Sequence, residues 1–269
     1  MKVNNRREAV LKAVLGGMND VATMCEHYGM SEATVRRDLR ALASTRRIVR
    51  TYGGAAAVGA HEPEATLEER RVSAREQKDA IARAAFARIA DGDTIFLDGG
   101  TTTAALARLL PAKAVHVVTN NLIVVSALAA TEVPVTLIGG DVRASSMSTL
   151  GPLAQVVLSR ISVDKAFLGA DGVVAGNGLC EASAEQAYLK ECAIRQAAEV
   201  FVLVTADKVG HASQQHWTPL ERPWHLLTDD AATAEQLAPF LARAEVSVQT
   251  VPVADPKSQA AGVAAEAGK

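Results

Sequence analysis

One stretch decides the fold of the first part of the chain: residues 30–42, which read Met-Ser-Glu-Ala-Thr-Val-Arg-Arg-Asp-Leu-Arg-Ala-Leu. Ser31 suits the N-cap of a helix, because its hydroxyl can accept a hydrogen bond from an amide of the first turn. At about 100° per residue, one face collects the apolar residues Val35, Leu39 and Leu42. The opposite face and its flanks collect small and basic residues: Ala33, Arg37 and Arg40, then Thr34 and Arg36. The pattern predicts a helix that buries one face and offers guanidinium groups on the other.

The flanking residues favour a helix-turn-helix over an isolated amphipathic helix with a solvated charged face. Residues 6–15 and 21–28 predict two earlier helices, and Gly29 provides a tight break before Ser31. Residues 48–54 alternate as a short strand that ends in a turn, which is typical of a wing. The second helix of such a unit enters the major groove of DNA. The candidate DNA contacts are Ser31, Ala33, Thr34, Arg36, Arg37, Arg40 and Arg50.

The distribution of charge supports a polyanion partner for this end of the chain. Residues 1–54 hold ten Lys or Arg and five Asp or Glu, a balance of +5. The remaining residues hold 18 and 25, a balance of −7, so the overall charge of −2 hides a basic end on an acidic body. Such an asymmetry is expected of a chain with one nucleic-acid-binding end.

Composition sets the broad class. A chain of 269 residues, 49% hydrophobic but only 4% aromatic, can bury a core built mainly from aliphatic side chains. No apolar run approaches the roughly 20 residues of a membrane span, and the first residues do not resemble a signal peptide. The three cysteines, Cys25, Cys180 and Cys192, form no CxxC pair. We therefore expect a cytoplasmic protein with no metal site and no cofactor.

After about residue 90 the pattern changes to short apolar strands that alternate with helices. Strands are predicted at 93–98, 116–121, 133–138, 164–172, 200–205, 224–228 and 246–251. Such alternation predicts an α/β domain with a mostly parallel sheet. The predicted division is a winged helix-turn-helix domain over 1–57, a linker over 58–75, an α/β domain over 76–252 and a disordered tail over 253–269. One long helix or two are expected between residues 64 and 90, across the end of the linker.

Small and polar residues follow these strands, where parallel sheets place their ligands. Gly100, Thr101 and Thr102 resemble a phosphate cradle, because glycine exposes backbone amides and the hydroxyls can donate. The alternative is a plain strand-to-helix turn with a threonine cap. The run matches neither GxGxxG nor GxxxxGK[ST], which disfavours a nucleotide-binding protein.

Several further residues are candidates for the same site. Asp98 can bind a sugar hydroxyl or cap its own turn, and Asn120 can bind hydroxyls or fix its loop. Lys190 is either a counter-charge or a surface lysine, and Lys208 is the better cation. The complete candidate effector site is Asp98, Gly100, Thr101, Thr102, Asn120, Gly140, Asp171, Lys190 and Lys208.

The motif over residues 30–42, with Thr-Val-Arg-Arg-Asp-Leu at its centre, resembles the recognition helix of the DeoR family of bacterial transcriptional regulators. The wing run Arg50-x-x-Gly-Gly-Ala fits that family as well. Arg46 and Tyr52 depart from it, since the family generally has Gly and His there.

The second domain resembles the effector-sensing domain of the same family over about residues 71–229. The matching motifs are Asp98-x-Gly-Thr-Thr, Thr119-Asn120, Leu137-Ile-Gly-Gly140, Gly151-Pro152, Phe167-Leu-Gly-Ala-Asp-Gly172, Lys190 and Asp207-Lys-x-Gly210. The departures are Gly99 for Ser, Val209 for Phe, and Glu181 where Thr is expected. The resemblance implies a fold related to ribose-5-phosphate isomerases and coenzyme A transferases, and phosphorylated sugars as effectors.

The leading hypothesis is a DNA-binding regulator, a repressor of a sugar metabolism operon, that responds to a phosphorylated sugar. The expected partners are operator DNA, the effector and further copies of the chain in a dimer or tetramer. No membrane partner is expected. The alternative is a sugar-phosphate isomerase-like enzyme with a DNA-binding head, for which Asp171 or Glu185 is a candidate base without a clear partner.

Overall fold

The computed structural model describes residues 3–15, 18, 20–44, 48–51, 54–57, 65–212 and 214–253. The first part is a three-helix unit with a two-stranded wing. Its elements are α1 (Val3–Leu15), α2 (Val21–Tyr28), α3 (Glu32–Ser44), β1 (Ile48–Thr51) and β2 (Gly54–Ala57). The two strands pair antiparallel, with Ile48 opposite Ala57. The predicted helix-turn-helix and its wing are confirmed.

The turn between α2 and α3 is fixed by local chemistry that the sequence predicts. Asp20 caps α2 by accepting a hydrogen bond from the Thr23 amide at 2.7 Å. Gly29 ends α2 in the left-handed conformation, with φ of 60°, which glycine adopts without a steric penalty. The Ser31 hydroxyl accepts from the Thr34 amide at 3.4 Å, so the predicted N-cap of α3 is confirmed.

One charged side chain is buried beneath α3. Val35, Leu39 and Leu42 pack in the core of this unit as predicted, but Asp38 lies among them with no solvent exposure. Arg6 of α1 donates to its carboxylate at 2.5 Å and 3.1 Å, and Arg7 donates at 3.3 Å. Burial alone raises the pKa of Asp38, but the arginine hydrogen bonds and charges outweigh burial and hold that pKa below its ordinary value. The ion pair thus fixes α3 against α1.

Two helices follow the wing, in place of the single long helix that was one of the two expectations. They are α4 (Leu67–Val72) and α5 (Arg75–Phe86). Thr66 and Glu69 form a reciprocal capping box at the start of α4. Ala74 takes a left-handed φ of 48°, which breaks the helix between the two segments.

A seven-stranded sheet in the order β14-β13-β11-β8-β3-β4-β5 forms the centre of the second domain. Every neighbouring pair is parallel. Its strands are β3 (Thr94–Leu97), β4 (His116–Thr119), β5 (Val135–Leu137), β8 (Val163–Leu168), β11 (Ala197–Leu203), β13 (Trp224–Asp229) and β14 (Val246–Val251). The predicted α/β class and all seven predicted strands are confirmed.

Helices cover both faces of this sheet, which gives two apolar cores. One core gathers residues of α5, α6 (Thr101–Ala107) and α7 (Leu122–Leu128) against one face. The other core gathers residues of α8 (Pro152–Leu158), α9 (Ala184–Gln196) and α10 (Ala234–Leu241). The strands are buried on both faces, which is why they read as continuous apolar runs.

Some boundaries and small elements differ from the sequence prediction. Helix α6 begins at Thr101, although the pattern placed its start at Ala104, so all three threonines lie in its first turn. The short antiparallel strands were missed, because three-residue strands carry little periodicity. They are β6 (Asp141–Arg143) with β7 (Ser148–Leu150), and β9 (Gly172–Val174) with β10 (Gly178–Glu181) and β12 (His216–Thr218).

Parts of the sequence prediction fall outside the described residues. They include the first part of the linker (58–64), nearly all of the predicted tail (254–269), Arg46 and Tyr52. The backbone of Arg50 is described in β1, but its side chain is not. Among the described helices, none is both long and apolar enough to cross a membrane.

Candidate functional site

The outer face of α3 carries the predicted DNA contacts. Ser31, Ala33, Arg37 and Arg40 are exposed, and Thr34 is half-buried. Arg36 is also half-buried, and its Nε donates to the Glu32 carboxylate at 2.7 Å, one helical turn earlier. Within the described residues, Arg37 and Arg40 make no ion pair, so their guanidinium groups are available to a ligand.

A polar cleft lies at the carboxyl end of the sheet, where the strand order reverses. From β3 the chain runs outward through β4 to β5, and it then returns to build β8 on the other side of β3. Parallel sheets bind ligands at such a switch point. The cleft is open to solvent and lies between the loops that follow β3, β4, β8 and β11.

Eight of the nine predicted effector residues line this cleft: Asp98, Gly100, Thr101, Thr102, Asn120, Asp171, Lys190 and Lys208. Gly140 is not among the lining residues. Its φ is 125°, and a β-carbon there would lie 2.2 Å from the carbonyl oxygen of Leu150. The backbone conformation and the close approach of Leu150 are therefore sufficient to require glycine at this position, and no ligand contact is needed to explain it.

A buried ion-pair cluster forms part of the cleft lining. Lys190 of α9 lies 2.9 Å from the Asp98 carboxylate and 2.7 Å from that of Glu181, at the end of β10. The alternative of a surface lysine is therefore wrong, since Lys190 is 4% exposed. Asp98 also accepts from the Gly169 amide at 3.3 Å, and its carboxylate accepts from no amide of its own turn within the described residues.

The electrostatics of this cluster follow from its burial. Burial raises the pKa of Glu181 to about 8, against the opposing charge of Lys190 and with help from Asp171 and Asp98. Burial lowers the pKa of Lys190, but the charges of Asp98 and Glu181 outweigh it and raise that pKa above its ordinary value. Glu181 was noted in the sequence only as a departure from the family pattern. Its role depends on a contact with α9 that spacing does not predict.

Asn121, and not Asn120, fixes the loop after β3. The Asn121 amide donates to the carbonyl oxygens of Asp98 and Gly100 at 3.2 Å and 3.0 Å, and Thr103 donates to the same two carbonyls. Asn120 donates to the Thr149 carbonyl at 3.3 Å. Its side-chain oxygen is buried without a hydrogen-bond partner among the described residues. That oxygen is an acceptor available to a ligand hydroxyl.

Cations gather at the end of the cleft near α4. Lys208 and Arg70 line it, and Lys78 of α5 lies close behind. Lys208 donates to the Ala170 carbonyl at 2.7 Å, and Lys78 donates to the carbonyls of Arg70 and Ser73. Burial lowers the pKa of Lys78 to about 8, with help from the charges of Lys208 and Arg70 and against that of Asp207. Three like charges in one place are expected at a site that takes an anion.

Comparison with known families gives two matches. Residues 6–60 match the DeoR-like helix-turn-helix domain, and residues 73–230 match the DeoR C terminal sensor domain. The chain belongs to the DeoR family. The sensor model alone spans more than half of the chain, and its match contains the whole cleft except Arg70.

Relatives of this DeoR-family chain are named as regulators and repressors. The transcriptional regulator GlpR of Haloferax volcanii is 33% identical over 80% of this chain and 85% of its own. The lactose phosphotransferase system repressor of Streptococcus mutans is 31% identical over 85% and 93%. The glycerol-3-phosphate regulon repressor of Escherichia coli is 30% identical over 78% and 84%. The protein is thus a DNA-binding transcriptional regulator, as the sequence predicts.

A solved structure with a partly similar fold is ribose 5-phosphate isomerase A of Methanocaldococcus jannaschii. It is 22% identical and covers 49% of this chain and 52% of its own, with a TM-score of 0.37. Because the DeoR-family relatives are named regulators, the enzyme alternative is not supported. Of its two candidate bases, Glu185 is exposed and lies outside the cleft lining, whereas Asp171 lines the cleft and accepts from the Ala182 amide at 3.2 Å.

Proposed function

We propose that this regulator represses a sugar metabolism operon and responds to a phosphorylated sugar bound in the cleft at the switch point. The observation that carries the proposal is the chemistry of the cleft lining. The lining combines cations near α4 with hydrogen-bond acceptors and the buried ion-pair cluster of Lys190, Asp98 and Glu181. The names of two relatives, which refer to glycerol-3-phosphate and to a lactose phosphotransferase system, support a small carbohydrate ligand.

The phosphate is assigned to the cationic end. Lys208, Arg70 and the hydroxyls of Thr101 and Thr102 face it there, and phosphate oxygens accept such charge-assisted hydrogen bonds. The hydroxyls of the sugar are assigned to Asp98, Asn120 and Asp171, which offer acceptors. Lys190 holds Asp98 in place and is itself neutralised, so we assign it to the sugar end and not to the phosphate.

Operator DNA is assigned to the outer face of α3, with Arg37 and Arg40 toward the major groove. Ser31, Ala33 and Thr34 border the same face, Arg36 lies at its flank, and Arg50 belongs to the wing. This division assigns the two ligands to the two predicted domains, 1–57 and 76–252, with Arg70 of the predicted linker added to the second site. We place the protein in the cytoplasm, where its operator lies and where its three free cysteines stay reduced.

The regulator is expected to act as a homo-oligomer, a dimer or tetramer, because each chain has one helix-turn-helix unit. One such unit buries too little DNA surface for tight specific binding, and two units match an operator with two half-sites. Light scattering of the full chain, with and without operator DNA, measures this. A strictly monomeric species in both conditions would contradict it.

A ligand panel tests the proposed function. The full chain is mixed with sugar monophosphates of three to six carbons, glycerol 3-phosphate, the unphosphorylated sugars and inorganic phosphate. Thermal shift and turnover are followed together, and operator binding is then titrated with each ligand that shifts the melting temperature. A shift without turnover, with changed operator affinity, is the expected result. Binding of no phosphorylated compound would overturn the assignment.

The affinity for the phosphorylated ligand is expected to fall as pH rises above about 8. Lys78 has a pKa of about 8 in the free protein, so it loses its charge over that range. A bound phosphate favours the ammonium form and raises this pKa, so binding takes up a proton and weakens at higher pH. Calorimetric titrations at pH 7, 8 and 9 measure the slope.

Lys78→Arg is the matched control for this pH dependence. The guanidinium keeps its charge throughout the range, so the slope between pH 8 and 9 is expected to flatten. A wild-type affinity that stays constant from pH 7 to 9 would show that Lys78 does not sense the anion.

A further inference from the structure

Arg70 lies on the segment that leads from the wing to the sensor domain, yet it lines the cleft. It belongs to α4, directly before the break at Ser73 and Ala74. Its guanidinium group donates to the carbonyl of Ser145 at 2.5 Å, in the turn between β6 and β7. The neighbouring Ser146 and Ser148 also line the cleft. Arg70 therefore ties α4 to a hairpin that borders the ligand space.

The backbone of Arg70 makes two further contacts with the same site. Its carbonyl oxygen accepts from the Thr101 hydroxyl at 3.3 Å and from the Lys78 ammonium. Thr101 is one of the residues assigned to the phosphate, and Lys78 is one of the three gathered cations. A rearrangement of either group on ligand binding must therefore reach the main chain of α4.

We propose that Arg70 is a ligand-contacting residue that couples the effector site to the DNA-binding domain. The anionic group of a phosphorylated ligand draws the Arg70 guanidinium away from Ser145 and the Thr101 hydroxyl away from the Arg70 carbonyl. Both of those contacts hold α4 in its position, so their loss releases it. This inference rests on the proposed function, because it uses the same cleft and the same ligand class.

The adjacent residue provides a matched control on the same helix. Arg71 carries the same charge, but it is 55% exposed, and it lies 4.0 Å from the Glu68 carboxylate. Arg71 is not among the residues that line the cleft. Replacing either arginine by alanine removes one positive charge and one long side chain from α4, so only the position differs between the two variants.

The test compares wild type, Arg70→Ala, Arg70→Lys and Arg71→Ala in the full chain. The probes are inorganic phosphate and the sugar monophosphate of the panel that wild type binds. Because Arg70→Ala lacks the Ser145 contact even without ligand, we expect its operator affinity without ligand to be shifted toward that of ligand-bound wild type, and its affinity for the monophosphate to be lower by about tenfold or more. Even at saturating ligand, the change in operator affinity should be smaller than in wild type. Arg70→Lys should keep part of the ligand affinity, and Arg71→Ala should match wild type.

Two outcomes would overturn the inference. The first is an Arg70→Ala variant that binds the monophosphate with wild-type affinity and shows the same ligand-induced change in operator affinity as wild type. The second is an Arg71→Ala variant with the same losses as Arg70→Ala, which would show a general effect of charge on α4. If wild type itself binds no phosphorylated compound, the proposed function fails first, and the inference fails with it.

Discussion

Lys190→Met is expected to destabilise the sensor domain by about 3–5 kcal/mol. The substitution removes the cation between two carboxylates, Asp98 and Glu181, whose side chains are 5% and 2% exposed. Both carboxylates are almost fully buried, so each keeps a poorly compensated charge or takes up a proton. The free energy of unfolding, from urea denaturation of the full chain followed by the sensor-domain signal, measures the loss.

The pH dependence of this variant has a defined sign. Burial already raises the pKa of Glu181, and without the opposing charge of Lys190 this pKa is expected to rise further, so the folded state binds more protons than the unfolded state. Stability is then fully present below the ordinary carboxyl pKa of about 4 and falls as pH rises through the folded values. The decrease in the free energy of unfolding caused by Lys190→Met should therefore be larger at pH 8 than at pH 5.

Lys165→Met is the matched control, because Lys165 lies 2.6 Å from Asp93 in a pair that is partly exposed. Removing that cation should cost about 1 kcal/mol or less, since the remaining charge stays in contact with water. Adding Asp98→Asn and Glu181→Gln to Lys190→Met should restore part of the stability. A Lys190→Met protein within about 1 kcal/mol of wild type would contradict the account of the buried cluster.

Arg37→Ala is expected to weaken binding to the specific operator by about 1–3 kcal/mol, roughly 5- to 150-fold. Arg37 is exposed on the outer face of α3, opposite the buried Val35 and Leu39. Its forked guanidinium can make two hydrogen bonds to one guanine edge, and their loss also relaxes the sequence preference at that base pair. Titrations against the operator and against a scrambled sequence of equal length measure both effects.

Two further variants separate the roles of charge and geometry. Arg37→Lys keeps the charge but loses the planar fork, so binding to the scrambled sequence should be kept while the preference for the operator is lost. Arg36→Ala removes a guanidinium that is already paired with Glu32, and any loss should be similar for both sequences. An Arg37→Ala protein with wild-type operator affinity would contradict the assignment of operator DNA to Arg37 on the outer face of α3.

The sequence predicts the parts of this molecule that depend on neighbouring residues. The cap at Ser31 and the break at Gly29 are local, and so is the apolar seam of α3. The cleft was predictable for a related reason, because parallel strands bring their carboxyl ends together whatever their order. That rule placed seven strand-end candidates around one space, whereas Lys190 lies in the middle of a helix and was only a candidate counter-charge.

Contacts between distant elements were not predictable in the same way. Asp38 is an ordinary charged residue of α3 by pattern, and only the position of α1 supplies Arg6 and Arg7. Glu181 and Lys190 meet because β10 and α9 return to the end of β3. The sequence places Arg70 in the linker, and only the packing of α4 against the cleft brings it to the site. In each case the pairing depends on the topology of the chain and not on spacing.

Regulation by the ligand requires that ligand binding in the cleft and DNA binding at α3 are thermodynamically coupled. If a sugar phosphate changes the affinity for operator DNA, the operator must change the affinity for that sugar phosphate by the same factor. Couplings of this kind are typically about 1–3 kcal/mol. One connection along the chain between the two sites passes through α4, whose Arg70 contacts the loops of the cleft.

The most direct test is a pair of titrations on the full chain with the sugar monophosphate that wild type binds. Operator affinity is measured without and with saturating ligand, and ligand affinity is measured without and with saturating operator. The account predicts a factor of roughly 5 to 150 in each direction, equal within error. Saturating ligand that raises the melting temperature of the protein but leaves operator affinity unchanged would contradict it.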